Sequence, residues 1–128
     1  MADPFAAYHK ALFVALDAGL SQSIYDFVPE DAVYPYVQIE RHVTVQQNGL
    51  VARKDGVFTY LTVWSEYKGQ KEVLEIMETI YTILNDAQLT LDAGRMVRCF
   101  VETRDTARDM DEQTFTGNVK LFTVLEHS

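Results

Sequence analysis

Phe5, Tyr8, Leu12 and Leu16 recur at helical spacing with Phe13 beside them, and Asp3-Pro4 supplies an N-cap followed by a residue suited to the first turn. Gly19 is a natural stop, and Leu20 is placed to fold back on the last turn. The pattern then becomes extended. Ile24-Tyr25 reads as a very short strand, and Asp26 to Val33 as a turn-rich link carrying Pro29. Pro35 pushes Tyr34 toward an extended conformation. Tyr36 to Val45 alternates, with Val37, Ile39, Val43 and Val45 apolar, and a break is expected at Arg41-His42. Gln46 to Asp55 is polar, carries Gly49 and is followed by Gly56, the pattern of a long hairpin loop.

Val57 to Ser65 is the strongest strand signal, rich in β-branched and aromatic residues. Both of its faces carry apolar groups, which predicts a central position in a sheet. Gly69 precedes a second helix over about Gln70 to Asp86. There Val73, Ile76, Met77, Ile80 and Leu84 form one stripe, with Glu72, Glu75, Glu78 and Thr79 off it. Asp92 to Gly94 is a turn. Met96 to Thr106 and Phe115 to Leu125 alternate as strands, and the acidic link between them, Ala107 to Thr114, reads as a hairpin tip. The order α-β-β-β-α-β-β predicts a single α+β domain over residues 1–128, an antiparallel sheet of four or five strands with two helices packed on it.

With 128 residues and 48% hydrophobic positions, the chain can bury a core without disulfides or metal. A net charge of −8 argues against non-specific nucleic-acid binding, which rests on Lys and Arg neutralising phosphates. The lone cysteine, Cys99, sits in an alternating stretch and reads as a small buried hydrophobe, and a chain made in a reducing cytosol is expected. Ala11 to Leu16 is too short for a spanning helix or a signal core, so no membrane partner is expected.

Tests for chemistry return little. His9, His42 and His127 have no metal-ligand spacing and read as exposed residues on a helix, a strand and a tail. Asp109-Met110-Asp111 is followed by Glu112 and Gln113, and Gly117 comes too late for a calcium loop, so a solvated tip is expected. Glu66-Tyr67-Lys68 matches half of a nuclease motif, but Asp55 lies at the other end of one predicted strand, about 35 Å away. Phe58, Tyr60 and Trp64 lack basic interleaving along the strand, which favours core packing over a stacking platform. No catalytic residue, metal ligand or cofactor is assigned.

Ile24-Tyr25-Asp26-Phe27-Val28-Pro29 followed by Tyr34-Pro35-Tyr36-Val37-Gln38-Ile39 resembles the phage tail-completion family, the small tail-terminator or head–tail joining proteins of long-tailed phages and gene transfer agents. Leu61-Thr62-Val63-Trp64-Ser65, the Gly69 helix to Leu84, Phe100 to Arg104, the turn at Asp109 and Asp111 and a last strand ending Leu125-Glu126 follow in the family's order. Two positions depart from it: Glu40, where members often carry glycine, and Asp109-Met110-Asp111-Glu112, which lacks the Asp-Pro-Asp-Gly form. The resemblance implies no enzyme activity. It implies a ring, a hexamer, at the head-proximal end of the tail of a virion or phage-like particle, assembled in the bacterial cytoplasm. Its implied partners are further copies of itself, the tail-tube protein and the head–tail connector or stopper, with DNA passing through the lumen without specific binding. A connector stopper or adaptor, or a monomeric binding module of similar fold, is the alternative.

An assembly interface is expected at the polar loop, through Gln46, Gln47, Asn48, Arg53 and Lys54, and at the oppositely charged tip, through Arg108, Asp109, Asp111 and Glu112. The two are expected to meet across subunits.

Overall fold

The computed structural model describes residues 3–48, 53–108 and 114–127. Helix α1 (Phe5–Gly19) begins where the Asp3 carboxylate accepts the Phe5 N–H at 3.0 Å. Tyr8, Leu12 and Leu16, one per turn, are fully buried, and Leu20 closes the helix by donating its N–H to the Leu16 carbonyl. Strand β1 (Ser23–Tyr25) follows, then β2 (Tyr36–Asn48) and β3 (Arg53–Ser65). Helix α2 (Lys71–Leu84), β4 (Arg95–Arg108) and β5 (Phe115–Glu126) complete the order expected from the pattern.

The strands form one five-stranded sheet in the order β1-β2-β3-β5-β4, which makes β3 central as its two apolar faces predict. The sheet is not wholly antiparallel. β1 runs parallel to β2, Ile24 opposite Val37, because the 26–35 link crosses back along the sheet before β2 begins. Alternation along β5 is strict: Phe115, Gly117, Val119, Leu121, Thr123 and Leu125 are buried. They pack, with Val57, Leu61 and Val63 of β3, under Val73, Ile76, Met77, Ile80 and Leu84 of α2. Burying each such aliphatic side chain contributes roughly 1.5–3 kcal/mol. At Gly117 a Cβ would collide with Met77 and Val73, so the absence of a side chain there is what lets α2 settle on β5. Cys99 is buried as expected.

One edge of the sheet is covered locally. The Asp86 N–H donates to the Cys99 carbonyl, Gln88 Nε2 to the Val97 carbonyl, and the Asn85 Oδ1 accepts the Val101 N–H. This segment satisfies the first half of β4, which would otherwise be open to pairing. Both helices lie on one face of the sheet; the opposite face is bare.

Two expectations about loops are corrected. Gln46, Gln47 and Asn48 continue β2 opposite Asp55, Lys54 and Arg53 of β3, so the stretch is a ribbon rather than a long loop. The turn at 49–52 lies outside the described residues. Ala107 and Arg108 likewise belong to β4, paired with Thr116 and Phe115, and Asp109, Asp111 and Glu112 lie outside the described residues.

Candidate assembly surface

The helix-free face carries most of the chain's aromatic side chains. At one end Tyr36 stacks on Trp64, its partner across β2 and β3, at 6.3 Å, and touches Tyr25 and Tyr34. At the other end Phe122 of β5 packs against Phe58 of β3 at 4.9 Å and Phe100 of β4 at 5.7 Å. Cations lie over rings of this face, two from a neighbouring strand and one from the ring's own strand. The Arg41 guanidinium is 4.3 Å from the Tyr60 centroid, Arg98 4.5 Å from Phe100, and Lys120 Nζ 4.7 Å from Phe58. Val43 and Val45 extend the apolar surface along β2, at 37% and 47% exposure.

A polar belt crosses the middle of this face. The Thr62 hydroxyl donates to Glu40 at 2.8 Å, Lys120 pairs with Glu102 at 3.1 Å, and Asn118 donates to Asp105 at 2.9 Å. Belt residues Glu40, Tyr60, Asp105, Asn118 and Lys120 line a shallow hollow of about 190 Å³. The indole N–H of Trp64 is buried without an acceptor among the described residues. Large aromatic groups on an open face, ringed by charge, are the composition of protein interfaces rather than of solvated sheet.

A bulge creates this arrangement. The pairing of β2 with β3 slips between Ile39 and Arg41, with Glu40 as the extra residue. One extra residue inverts the side-chain alternation beyond it. Arg41 thereby joins the open face over Tyr60, while His42 turns under α1.

The histidines are corrected: none is a simple exposed residue. His9 Nδ1 lies 2.8 Å from His42 Nε2, His9 Nε2 is 2.8 Å from Asp26, and His42 Nδ1 is 2.9 Å from the Thr59 hydroxyl. Thr59 in turn meets the Tyr8 hydroxyl at 2.6 Å. One proton assignment satisfies every donor: Tyr8 O–H to Thr59, Thr59 O–H to His42 Nδ1, His42 Nε2–H to His9, and His9 Nε2–H to Asp26. Burial, and secondarily the neighbouring His9, pushes His42 down to about 4, and burial pushes Tyr8 up to about 12, so both are neutral links of the chain at neutral pH. The network fastens α1 and the 26–35 link to the sheet.

His127 is also buried, its Nε2 2.7 Å from Asp55 Oδ2. Asp3 completes a cluster of two carboxylates and an imidazole whose ligand atoms lie within 4.8 Å of one another, the one set among the described residues that could hold a metal ion. Asp3 accepts the Phe5 N–H at the start of α1, and His127 Nε2 meets Asp55, which ties the end of the described chain to β3.

Of the residues expected at an interface, Arg53 and Lys54 stand at the end of the sheet where β5 finishes, Lys54 opposite Glu126. Arg108 stands at the far end, its guanidinium over the Phe115 ring at 5.0 Å. The structure does not bring the two groups together within one chain: some eleven strand residues, about 35 Å, separate them. Phe58, Tyr60 and Trp64, expected to pack in a core, are half-buried on the side of the sheet away from the helices, Phe58 and Trp64 against rings of neighbouring strands. The basic interleaving absent along β3 is supplied sideways by Arg41 over Tyr60 and Lys120 over Phe58, a cross-strand relation that linear order conceals.

No helix among the described residues is long and apolar enough to cross a membrane. The search of curated proteins gave no match. Among solved structures, a chain of the virion of a native gene transfer agent particle is similar, with a TM-score of 0.87 and 16% identity, covering 98% of this chain and 99% of that one. The family model of the tail completion protein gp17 matches residues 10–126. The fold and the bare aromatic face thus stand in a chain that belongs to the tail completion protein gp17 family, structural proteins of the phage tail.

Proposed function

We propose that the chain is the ring-forming subunit that caps the tail tube and joins the tail to the head connector of a phage or gene transfer agent. The observation that carries this reading is the helix-free face. A chain with both helices on one side of its sheet leaves Phe58, Tyr60, Phe100 and Phe122 half-buried and Val45 at 47% exposure, a surface that self-association would cover. The net charge of −8 suits a subunit past which DNA slides without specific binding. The basic end at Arg53 and Lys54 suits contact with an unlike, acidic neighbour at that end of the sheet.

Native mass spectrometry with negative-stain imaging tests the reading. The expected species is a closed ring; six copies of the 14.6 kDa chain have a mass of about 88 kDa. A chain that stays monomeric at all concentrations, and also with tail-tube protein added, would refute it.

A further inference from the structure

The bare face and the outer side of α2 carry opposite unpaired charges. On the face, Arg41 and Arg98 are exposed, lie over Tyr60 and Phe100, and form no ion pair among the described residues. Lys120 there is paired with Glu102 and Arg95 with Glu126, while Lys54, in register with Glu126, is a third cation without an ion pair among the described residues. On α2, Glu75 and Glu78 are exposed and likewise form no ion pair among the described residues. Beside them the helix exposes Leu74, at 51%, and Tyr81, at 37%, the Tyr81 ring carrying the Arg104 guanidinium of its own chain 4.5 Å from its centroid. Leu74, Glu78 and Tyr81 fall on one stripe because residues three and four apart share a helix face.

We infer that the aromatic sheet face of one copy receives the outer side of α2 from a second copy, Glu75 and Glu78 meeting the free guanidiniums and Leu74 and Tyr81 covering the exposed rings. This rests on the ring reading and names the surfaces that build it. The dimensions agree. Fourteen residues of helix extend about 21 Å, and the three strand spacings from β2 across β3 and β5 to β4 cover about 14 Å. The helix is therefore long enough to cross from β2 to β4 over the Phe58, Phe100 and Phe122 rings. The two surfaces also lie on opposite sides of the sheet. A contact between unlike surfaces is head-to-tail, which does not stop at a dimer and closes into a ring where the rotation from one copy to the next allows it.

Duplex DNA is the competing occupant, because cations over aromatic rings also suit nucleic acid. The face disfavours it. Glu40, Glu102, Asp105 and Glu126 stand among its cations, and Phe58, Phe100 and Phe122 pack on one another instead of standing apart to receive bases.

Charge exchange tests the pairing, with circular dichroism verifying each fold. Arg41→Glu with Arg98→Glu, and separately Glu75→Arg with Glu78→Arg, alter only exposed positions. Each double variant is expected to raise the concentration at half-assembly at least tenfold, and all four changes in one chain should restore assembly to within a few-fold of the unaltered protein. If the unaltered protein forms rings and either double variant assembles equally well, the surfaces are wrong and the ring reading stands. If both variants fail and the fourfold variant does not recover, the two surfaces do not face each other. A monomeric unaltered protein overturns both readings. Binding of fluorescent duplex DNA at physiological salt, abolished by Arg41→Glu with Arg98→Glu, would assign the face to DNA instead.

Discussion

Acidification should destabilise the protein through His42. The ring is held between α1 and the sheet, bonded to His9 at 2.8 Å and to Thr59 at 2.9 Å, with the rings of Phe5 and Tyr8 edge-on to it. Burial moves it down from 6.5 to about 4; His9 adds to that, and Asp26 opposes it. The unfolded chain takes up this proton near pH 6.5, the folded chain only near pH 4. Over that window the unfolded state holds more protons, so the contribution is complete above the upper value and is lost as the pH falls to the lower one. For a fully buried ring the difference is worth about 3 kcal/mol; partial exposure cuts it to about 1.5 kcal/mol. Urea titrations of the unaltered protein and of His42→Gln, which keeps hydrogen-bonding groups but does not titrate, isolate the effect because carboxylates titrate in both. Between about pH 7 and pH 4.5 the unaltered protein should lose about 1.5 kcal/mol more than the variant, equivalent to about 6 °C in Tm. Equal pH slopes in the two proteins would refute the buried neutral ring.

Ile80 of α2 is fully buried against the sheet. Ile80→Asp leaves an unpaired carboxylate there and should cost more than about 4 kcal/mol, lowering Tm by more than about 15 °C or abolishing the cooperative melt; an unchanged Tm would mean that α2 does not cover the sheet. Arg53→Glu with Lys54→Glu should leave the circular dichroism native, with at most about 1 kcal/mol lost because position 54 faces Glu126. It should impair tail attachment most at low salt, and normal-length, head-attached tails from this variant would remove the basic end from assembly. Chelator treatment should leave the circular dichroism and melting curve unchanged, whereas a fall in Tm reversed by added zinc would show that Asp3, Asp55 and His127 hold a metal.

The elements that cover the core were the legible ones. α2 and β5 each bury one face against a single layer, so the buried residues return at one regular period along each element. The polar stretch around Gln46 and Arg53 misled because the β2–β3 ribbon runs out to where neither face has a core to meet, and the period-two signal disappears although the backbone pairing continues. The histidine network was illegible for a different reason. His9 and His42 are 33 residues apart, and only the packing of α1 across β2 joins them.

The Glu40 bulge shows how such local geometry governs the surface. A break near Arg41-His42 was readable from the lapse in alternation, but not its consequence. With regular pairing, Arg41 would share the helix side with Ile39, and His42 would turn to the bare face. The slipped register reverses both placements. A cation reaches Tyr60 on the side open to a partner, and an imidazole reaches Thr59 and His9 on the side that anchors α1. By absorbing Glu40, the bulge thus serves the internal polar chain and the external charged face together. Deleting Glu40 would leave Ile39–Leu61, Arg41–Tyr60 and His42–Thr59 as successive regular pairs, so assembly and the His42-dependent acid sensitivity should both survive it, where a surface change such as Arg41→Glu should affect assembly alone.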